Sequence, residues 1–495
     1  MRVAWVLVLA LLSGCVTAPP AAAPGAQDRA ATESALTRHI GMLASDDFGG
    51  RQPGTDGETK TLRYLAREWQ AAGLVSGTND PANPWFAPVE LALSLPDLSS
   101  ARFYRGGRPL AVPDGGAVVF ASGRRGLVER APLVFVGEAG ERLNRSELAG
   151  RVALMLWDHP GEKEQRLALL RAGASAVLAI VRDDRQLAEL TALRRRGNYR
   201  LAAVEDGGTI DGYLSRAAMI ALAGEQRYAE LVRSAGEPDF RPVTLDATAS
   251  LEATSNPGSV RTFNLVARLP GRKPAAGAVL LLAHWDHFGR CAEPPASDTI
   301  CNGAVDNASG LAVLNELARR LAAGPRLDRD VYFLATTAEE WGLLGAQAFA
   351  ENPPIPLDTI VAAFNLDTVA IAPAGRPAAI VGKGLTALDP GIEQVLRETG
   401  RKEGGERVAQ GYVRRQDAWA LIQRDVPAVS VTSAFAEQGP LDRYLAERYH
   451  QPADEAQGIE LGGAIDDLYL HLALVRYFAD PVRWAATAGK SAVDP

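Results

Sequence analysis

The stretch AVLLLAHWDH, residues 278–287, joins a continuous apolar run to a polar cluster. Its apolar part has the length of a β-strand, and unbroken apolar sequence is typical of a strand buried on both faces. Similar runs lie at residues 331–335 and 360–366, and helical periodicity follows the first two runs. Alternation of strand and helix predicts an α/β fold with a mainly parallel sheet flanked by helices.

Acidic or imidazole side chains follow each of these apolar runs, and two further motifs supply more of them. A Glu pair alone usually lies on a solvated helix face, and a lone His is usually structural. The functional interpretation therefore depends on the recurrence of acidic and imidazole residues at the strand ends. Open α/β sheets bind ligands outside the carboxyl ends of their strands, so these side chains are expected to converge in one crevice. The converging candidates are His284, Asp286, Asp306, Glu339, Glu340, Asp367 and His450.

These residue types are suited to zinc chemistry. Imidazole nitrogens and carboxylate oxygens are ordinary zinc ligands, and carboxylates can bridge a pair of ions. Two ions need roughly five protein ligands plus a shared water. Five candidates match this requirement and predict two bound Zn²⁺ ions. They are His284, Asp306, Glu340, Asp367 and His450.

Two acidic residues remain beside the predicted ligands. Glu339 points away from its neighbour Glu340, which leaves its carboxylate free to act as the general base. Asp286 lies two positions after His284 and is expected to reach the far ring nitrogen and fix its tautomer.

The five motifs together resemble the zinc exopeptidases of peptidase family twenty-eight, clan MH, which includes enzymes of the aminopeptidase Y and bacterial leucyl aminopeptidase type. They are His-x-Asp-His, Gly-Ala-x-Asp-Asn-x-Ser-Gly, Glu-Glu-x-Gly, Asn-Leu-Asp and Tyr-His-x-Pro-x-Asp. The resemblance implies the phosphorylase/hydrolase-like fold of these exopeptidases.

The resemblance also implies a role for each matching residue. It places His284 and Asp367 on one zinc and Glu340 and His450 on the other, with Asp306 as the bridge. Glu339 becomes the general base, and Tyr449 falls where some members stabilise the tetrahedral intermediate; the alternative for Tyr449 is a packing role. His287 is interpreted as a structural residue, since the set of ligands is complete without it.

The chain departs from the family where many members have Ser-Asp-His. Here the residues are Gln416, Asp417 and Ala418, before the predicted strand 427–432. The departure concerns the substrate pocket and leaves the metal ligands intact.

Domain boundaries follow from the resemblance and from composition. Residues 132–222 look like a smaller, β-rich protease-associated domain inserted in the peptidase domain. The predicted division is 1–29 signal peptide and tether, 30–95 first part of the peptidase domain, 96–258 inserted domain, 259–485 zinc peptidase domain, and 486–495 tail.

The first residues predict export. A basic start, an apolar run and Leu-Ser-Gly-Cys at residues 12–15 resemble a bacterial lipoprotein signal, which implies acylation of Cys15 and anchoring to a membrane. Val16 after Cys15 favours the outer membrane by the same resemblance, with the protein facing the periplasm; the alternative is an ordinary signal peptide. Export also favours a disulfide between Cys291 and Cys301, with two free thiols as the alternative.

The partner expected from these observations is a peptide. The net charge is −7 and no basic stripe is present, which excludes a nucleic-acid footprint. Acidic residues around the predicted metals favour recognition of a free α-amine, hence an aminopeptidase. A carboxypeptidase needs a cation, and Arg290, Arg414 and Arg415 are the candidates. A dipeptidase, a glutaminyl-cyclase-like enzyme and a non-catalytic binding protein with the same inserted domain are also compatible with the motifs.

Overall fold

The structure is a computed structural model that describes residues 25–485, except positions 139–142, 144, 158–161, 205–207, 238 and 293 and the side chains of 162–164. Cys15, with most of the predicted signal peptide, and the tail 486–495 lie outside the described residues. A helix begins at Ala26, so the last residues of the predicted tether belong to the folded domain.

The helices, in chain order, are α1 (Ala26–Leu43), α2 (Asp56–Ala71), α3 (Arg145–Leu148), α4 (Glu162–Arg171), α5 (Asp184–Arg195), α6 (Arg216–Ala223), α7 (Glu225–Ala235), α8 (Gly310–Ala323), α9 (Leu344–Glu351), α10 (Asp389–Thr399), α11 (Glu406–Gln410), α12 (Ala418–Ile422), α13 (Gln438–Glu447) and α14 (Gly462–Phe478). The strands are β1 (Val75–Ser76), β2 (Phe86–Arg105), β3 (Arg108–Leu110), β4 (Ala117–Ala121), β5 (Arg125–Gly137), β6 (Val152–Leu156), β7 (Ala176–Ile180), β8 (Asn198–Leu201), β9 (Ile210–Leu214), β10 (Val243–Leu269), β11 (Ala278–His284), β12 (Gly289–Arg290), β13 (Ile300–Cys301), β14 (Asp330–Thr336), β15 (Ile360–Asn365), β16 (Ala379–Val381) and β17 (Ala428–Thr432).

The central strands β11, β14, β15 and β17 are parallel. β11 lies between β14 and β15, and β15 pairs with β17. Every residue of these four strands is buried, as their unbroken apolar sequence predicts, because helices cover both faces of the sheet. In the register, His284 at the end of β11 stands opposite Thr336 at the end of β14. The carboxyl ends of the strands therefore share one edge, and the predicted α/β fold is confirmed.

Helices α1, α2, α8 and α14 cover one face of this sheet. On the amphipathic α2, Leu62, Leu65 and Trp69 point inward and are almost fully buried in the same core as Leu314 and Leu317 of α8. The indole Nε1 of Trp69 donates to Oδ1 of Asn315 on α8 at 2.8 Å, so a buried polar contact also fixes the packing of the two helices.

A second body with its own cores is inserted between β2 and β10. Its strands β5, β6, β7 and β9 run parallel, and β4 closes the edge antiparallel to β9. One core lies on each face, with Leu133, Leu154 and Leu178 in one and Val134 and Met155 in the other.

A two-stranded ribbon joins this body to the peptidase part. β2 has 20 residues and β10 has 27, and the two pair antiparallel along most of their length. The predicted boundaries at residues 96 and 258 fall inside these strands, close to a register shift between Ala253 and Ser255. The sequence predicted only short β-rich runs here, because alternating burial along half-exposed strands gives weak local signals.

Within residues 25–485, as far as they are described, no helix combines the length and apolarity needed to cross a bilayer.

Candidate metal centre and substrate pocket

The site lies at the carboxyl edge of the parallel strands. His284 is the last residue of β11, Asp367 follows β15 by two positions, and Glu339 and Glu340 lie in the loop after β14. Asp306 lies in an irregular turn before α8. The strand ends predicted from the sequence thus bring these side chains together.

The turn that carries Asp306 requires glycine at both ends. Gly303 has φ +56°, and a Cβ there would lie 2.0 Å from the Asp306 carbonyl oxygen and 2.6 Å from the His287 ring. A Cβ on Gly310 would lie 2.3 Å from both Oδ1 of Asn307 and the Leu366 carbonyl oxygen. The two glycines of the Gly-Ala-x-Asp-Asn-x-Ser-Gly motif therefore let the turn pack directly on the neighbouring ligand loops.

Asn307 fastens this turn to the loop that carries Asp367. Its Nδ2 donates to the Leu366 carbonyl oxygen at 2.9 Å, and its Oδ1 accepts from the backbone N–H of Thr368 at 3.3 Å. The same Oδ1 accepts from Gly310 N–H at 3.0 Å, at the start of α8. One buried amide therefore fixes the separation of Asp306 and Asp367.

The first cluster consists of His284, Asp306 and Asp367, all nearly inaccessible to solvent. Nε2 of His284 lies 3.1 Å from Oδ1 of Asp306 and 3.6 Å from Oδ1 of Asp367. An imidazole nitrogen and two carboxylate oxygens facing one point form a donor set that fits a zinc ion.

The second cluster gathers around Glu340 and the other oxygen of Asp306. Nε2 of His450 lies 3.1 Å from Oε2 of Glu340 and 3.4 Å from Oδ2 of Asp306. Asp306 thus turns one oxygen to each histidine, the arrangement of a bridging carboxylate.

His287 also contacts the second cluster. The sequence did not predict this contact, because it assigned His287 only a structural role. Its Nδ1 hydrogen-bonds Oε1 of Glu340, and it joins Asp306 and Glu340 in a group with ligand atoms within 4.8 Å of one another. The ring is fully buried. The sequence signal for this contact was the second histidine of His-x-Asp-His. The motif alone does not reveal whether His284 or His287 faces the crevice.

Asp286 acts on different atoms from those predicted. Nδ1 of His284 bonds the backbone carbonyl oxygen of Asp286 at 3.1 Å, whereas the Asp286 carboxylate lies 3.9 Å away. That carboxylate accepts from the backbone N–H groups of Glu339 at 3.1 Å and Glu340 at 3.4 Å. The carbonyl oxygen therefore orients the imidazole, and the carboxylate holds the loop of the Glu pair.

The electrostatics of the site raise the pKa of two groups that line it. Burial, reinforced by the carboxylates of Asp417 and Asp367, raises the pKa of Glu339 well above its ordinary value. Burial together with the charge of Asp306 likewise raises the pKa of Tyr449 well above its ordinary value. The Tyr449 hydroxyl therefore remains a hydrogen-bond donor at neutral pH.

Backbone strain gathers at the same place. Four non-glycine residues at or beside the site have left-handed backbone, with φ of 52° at Arg51, 50° at Ala338, 54° at Thr368 and 57° at His450. Such conformations cost about 1–3 kcal/mol each and persist where surrounding contacts over-determine them, as at functional sites.

Asp454, the last residue of the Tyr-His-x-Pro-x-Asp motif, holds the bridging ligand from behind. Its carboxylate accepts from the backbone N–H groups of Val305 and Asp306, both at 3.1 Å. The hydroxyl of Tyr444 donates to the same carboxylate at 3.2 Å. The motif contains Asp454, but its role became evident only from the fold.

Arg51 is a fully buried cation behind the site. Its guanidinium donates to the carbonyl oxygens of Trp285 at 2.8 Å, Leu43 at 3.0 Å and Gly303 at 3.0 Å, and also to Asn302. Burial lowers its pKa to about 10, so it stays charged at neutral pH. It therefore ties the N-terminal segment to the loops of His284 and Asp306.

Cys291 and Cys301 form a disulfide, as export favoured. It closes the loop between β12 and β13, and Sγ of Cys301 lies 3.4 Å from the His450 carbonyl oxygen. Arg196 of the inserted body donates to the Cys291 carbonyl oxygen. The bridged loop thus contacts both a candidate ligand segment and the inserted body.

A pocket opens directly beside the clusters. Acidic side chains occupy its floor, and aromatic and aliphatic side chains line its walls together with one arginine. The lining residues are Asp306, Glu339, Asp367, Thr368, Tyr412, Arg415, Gln416, Phe435, Leu441, Tyr444, Leu445 and Tyr449. This composition fits a small ligand with both an apolar and a charged part.

The segment that departs from the family pattern packs under this pocket. Gln416 is buried and accepts from the hydroxyl of Ser430, while Asp417 bonds the hydroxyl of Thr336. Burial raises the pKa of Asp417 to about 6. Ala418 is the first residue of α12 and is also buried. A small apolar side chain thus stands where many members of the family have histidine.

Residues 264–471 match the family model described as Peptidase family M28. This part of the chain is similar to the M28 peptidases. The match begins in β10 and ends in α14, so it contains every candidate ligand and excludes the inserted body.

Individual relatives agree over shorter stretches. Aminopeptidase YwaD of Bacillus subtilis is 32% identical over 125 residues, which is 25% of this chain and 25% of that protein. A vacuolar membrane protease of Yarrowia lipolytica is 34% identical over 108 residues, 21% of this chain and 10% of that protein. The chain thus spans about a quarter or less of the length of these curated relatives.

Solved structures match most of the chain, including the inserted body. An aminopeptidase from Aneurinibacillus sp. strain AM-1 aligns over 93% of this chain and 96% of its own, with a TM-score of 0.56 and 17% identity. A peptidase M28 precursor from Shewanella amazonensis SB2B aligns over 91% and 96%, with a TM-score of 0.50 and 15% identity. At these identities the likeness establishes the fold.

Proposed function

We propose that this chain is a dizinc aminopeptidase that hydrolyses N-terminal residues from peptides. The observation that carries the proposal is the pair of His–carboxylate clusters that share Asp306 beside a pocket lined by Glu339. The match of residues 264–471 to the M28 family model supports the same conclusion.

The proposed ligands divide between two ions. His284 and Asp367 would hold one, Glu340 and His450 would hold the other, and Asp306 would contribute to both. When bound, two zinc ions supply Lewis-acid activation of a water molecule and of the scissile carbonyl.

The protein's own groups move the proton and stabilise charge. Glu339 accepts a proton as the water oxygen bonds to the carbonyl carbon, and delivers it to the leaving nitrogen as the C–N bond breaks. The Tyr449 hydroxyl, kept protonated, donates to the carbonyl oxygen as negative charge develops there.

The acidic floor of the pocket supports recognition of a free α-amine. Glu339, Asp306 and Asp367 line the pocket, and carboxylates accept hydrogen bonds from an ammonium group. The alternative is a carboxypeptidase, which Arg415 in the same pocket favours as the second candidate. Arg290 instead bonds Thr299, and Arg414 lies over the ring of Trp419.

Hydrolysis of matched peptides tests the assignment. The zinc-loaded protein is expected to release the first residue from Leu-Gly-Gly and from leucine anilide, and to leave N-acetyl-Leu-Gly-Gly intact. Cleavage of the acetylated peptide, combined with failure on the anilide, would establish the carboxypeptidase instead. Failure on every peptide despite bound zinc would favour a non-catalytic protein.

We further propose that the inserted body is of the protease-associated type and that the protein is exported and lipid-anchored through Cys15, facing the periplasm from the outer membrane. The Leu-Ser-Gly-Cys motif supports anchoring, and the disulfide fits an oxidising compartment. Cys15→Ala is expected to abolish labelling by a palmitate analogue and to release active protein from membranes. Labelling that survives the substitution would refute anchoring through Cys15.

A further inference from the structure

Arg415 differs from the other pocket residues in bringing a positive charge to the site. It is exposed and lines the pocket together with Glu339 and Asp367. Its Nη2 lies 3.4 Å from the Tyr449 hydroxyl, and its guanidinium carbon lies 5.2 Å from the centre of the Tyr412 ring. The two aromatic residues hold the guanidinium in the pocket wall.

No carboxylate of the described residues lies within 4 Å of this guanidinium, whereas two half-buried arginines elsewhere in the fold pair with aspartates. Arg194 forms two hydrogen bonds with Asp211, and Arg401 pairs with Asp467. A planar guanidinium presents a fork of donors that matches a carboxylate, so Arg415 has donors to offer a ligand.

We propose that Arg415 binds a carboxylate of the substrate, so that the enzyme selects substrates carrying a carboxylate close to the scissile bond. The inference rests on the proposed peptidase function. It follows from position, because the Arg415 guanidinium contacts the Tyr449 hydroxyl, the group proposed above to donate to the scissile carbonyl.

Two sources place a carboxylate at that distance. One is the C-terminal carboxylate of a dipeptide, which lies one residue beyond the scissile bond. The other is the side chain of an N-terminal Asp or Glu. Both make the same charge-assisted contact, and both leave the α-amine free to reach the acidic floor.

Three substrate pairs separate these sources, each differing only in one carboxylate. They are Leu-Gly against Leu-Gly-amide, glutamyl against glutaminyl anilide, and N-acetyl-Leu-Gly against its amide. Each is measured with the zinc-loaded wild type, Arg415→Gln, Arg415→Lys and the control Arg414→Gln. Arg414 is the neighbouring cation, it lies over Trp419, and it does not line the pocket.

The wild type is expected to favour the carboxylate member of the first or the second pair by about tenfold or more in kcat/KM. Arg415→Gln removes most of that preference, Arg415→Lys keeps part of it, and Arg414→Gln leaves it unchanged. The pair that shows the effect identifies the source. Because each ratio compares two substrates on one variant, a general loss of activity cancels.

Equal kcat/KM for the two members of every pair in the wild type would overturn the proposal. A preference that survives Arg415→Gln would also overturn it. So would an equal fall on both members of each pair, since Arg415 would then act only through Tyr449. Turnover of the acetylated pair alone, with its preference lost in Arg415→Gln, would overturn the aminopeptidase and retain the carboxylate contact. No turnover of any substrate would overturn both.

Discussion

The carboxylate of Asp454 accepts a hydrogen bond from the backbone N–H of Asp306 at 3.1 Å, across 148 residues of sequence. The two residues belong to different motifs, and Asp454 follows the candidate ligand His450 by four positions. The contact therefore positions the carboxylate of Asp306 relative to His450, although Asp454 is not itself a proposed metal ligand.

Asp454→Asn is expected to lower zinc affinity by about 10- to 100-fold, because an amide cannot accept all the bonds that the carboxylate now accepts. Competition with a chromogenic chelator measures the affinity. Tyr444→Phe is the matched control, since it removes only one donor to the same carboxylate, and its effect should be smaller. Equal affinity for Asp454→Asn and the wild type would show that the contact does not position Asp306.

Glu339→Gln is expected to lower kcat by about 10² to 10⁴ while both zinc ions remain bound, because only the proton acceptor is lost. Steady-state kinetics with leucine anilide and elemental analysis of the same sample provide the two measurements. Glu339→Asp keeps the carboxylate and should retain more activity. Near-normal turnover by the Gln variant would exclude Glu339 as the base.

Substitutions of the ligands are expected to have unequal effects on metal content. Asp306→Ala should reduce both zinc ions, and His450→Ala mainly the ion also held by Glu340. His287→Ala should leave two ions bound, since His287 bonds Glu340 through the oxygen opposite to the one facing His450. If His287→Ala lost an ion and His450→Ala retained both, the second ligand would be His287.

Arg51→Met is expected to lower the free energy of unfolding by about 3–5 kcal/mol, because four carbonyl oxygens inside the protein lose their donor. Urea titration followed by circular dichroism measures the change. Arg185→Met is the control, since that side chain is 87% exposed and water screens its ion pair with Glu189. A similar small change for both variants would contradict a structural role for the buried guanidinium.

His471 is expected to make the protein sensitive to acid. Burial lowers its pKa from 6.5 to about 4, so the folded state resists protonation that the unfolded state accepts. This contribution to stability is complete above pH 6.5 and is lost as the pH falls towards 4, by about 3 kcal/mol at most. His471→Leu should reduce the loss of unfolding free energy between pH 7 and pH 4. An identical loss in both proteins would exclude this histidine as a cause.

The strands and their ends were predictable because the relevant signals are local. Apolar runs buried on both faces leave a continuous pattern, and the polar residue that follows each run marks the carboxyl edge of the sheet. His284, Glu340 and Asp367 could therefore be placed near one another from the sequence alone.

Contacts that depend on orientation were not predictable in this way. Spacing placed Asp286 near His284, but it could not decide whether the carbonyl or the carboxylate of Asp286 meets the ring. Arg415 lies far along the chain from most ligands, and only the packing of its loop beside Tyr449 brings it into the pocket.

The paired strands β2 and β10 form a ribbon that is anchored at one end in the peptidase sheet, since β10 also pairs there with β14. Main-chain hydrogen bonds run along the ribbon on both sides of the register shift between Ala253 and Ser255. The ring of Tyr199 on β8 packs at 4.8 Å against Trp341, next to Glu340. Because β8 pairs with β2, this ring contact couples the ribbon to the loop that carries the Glu pair, and a strain on the ribbon would be transmitted to that loop.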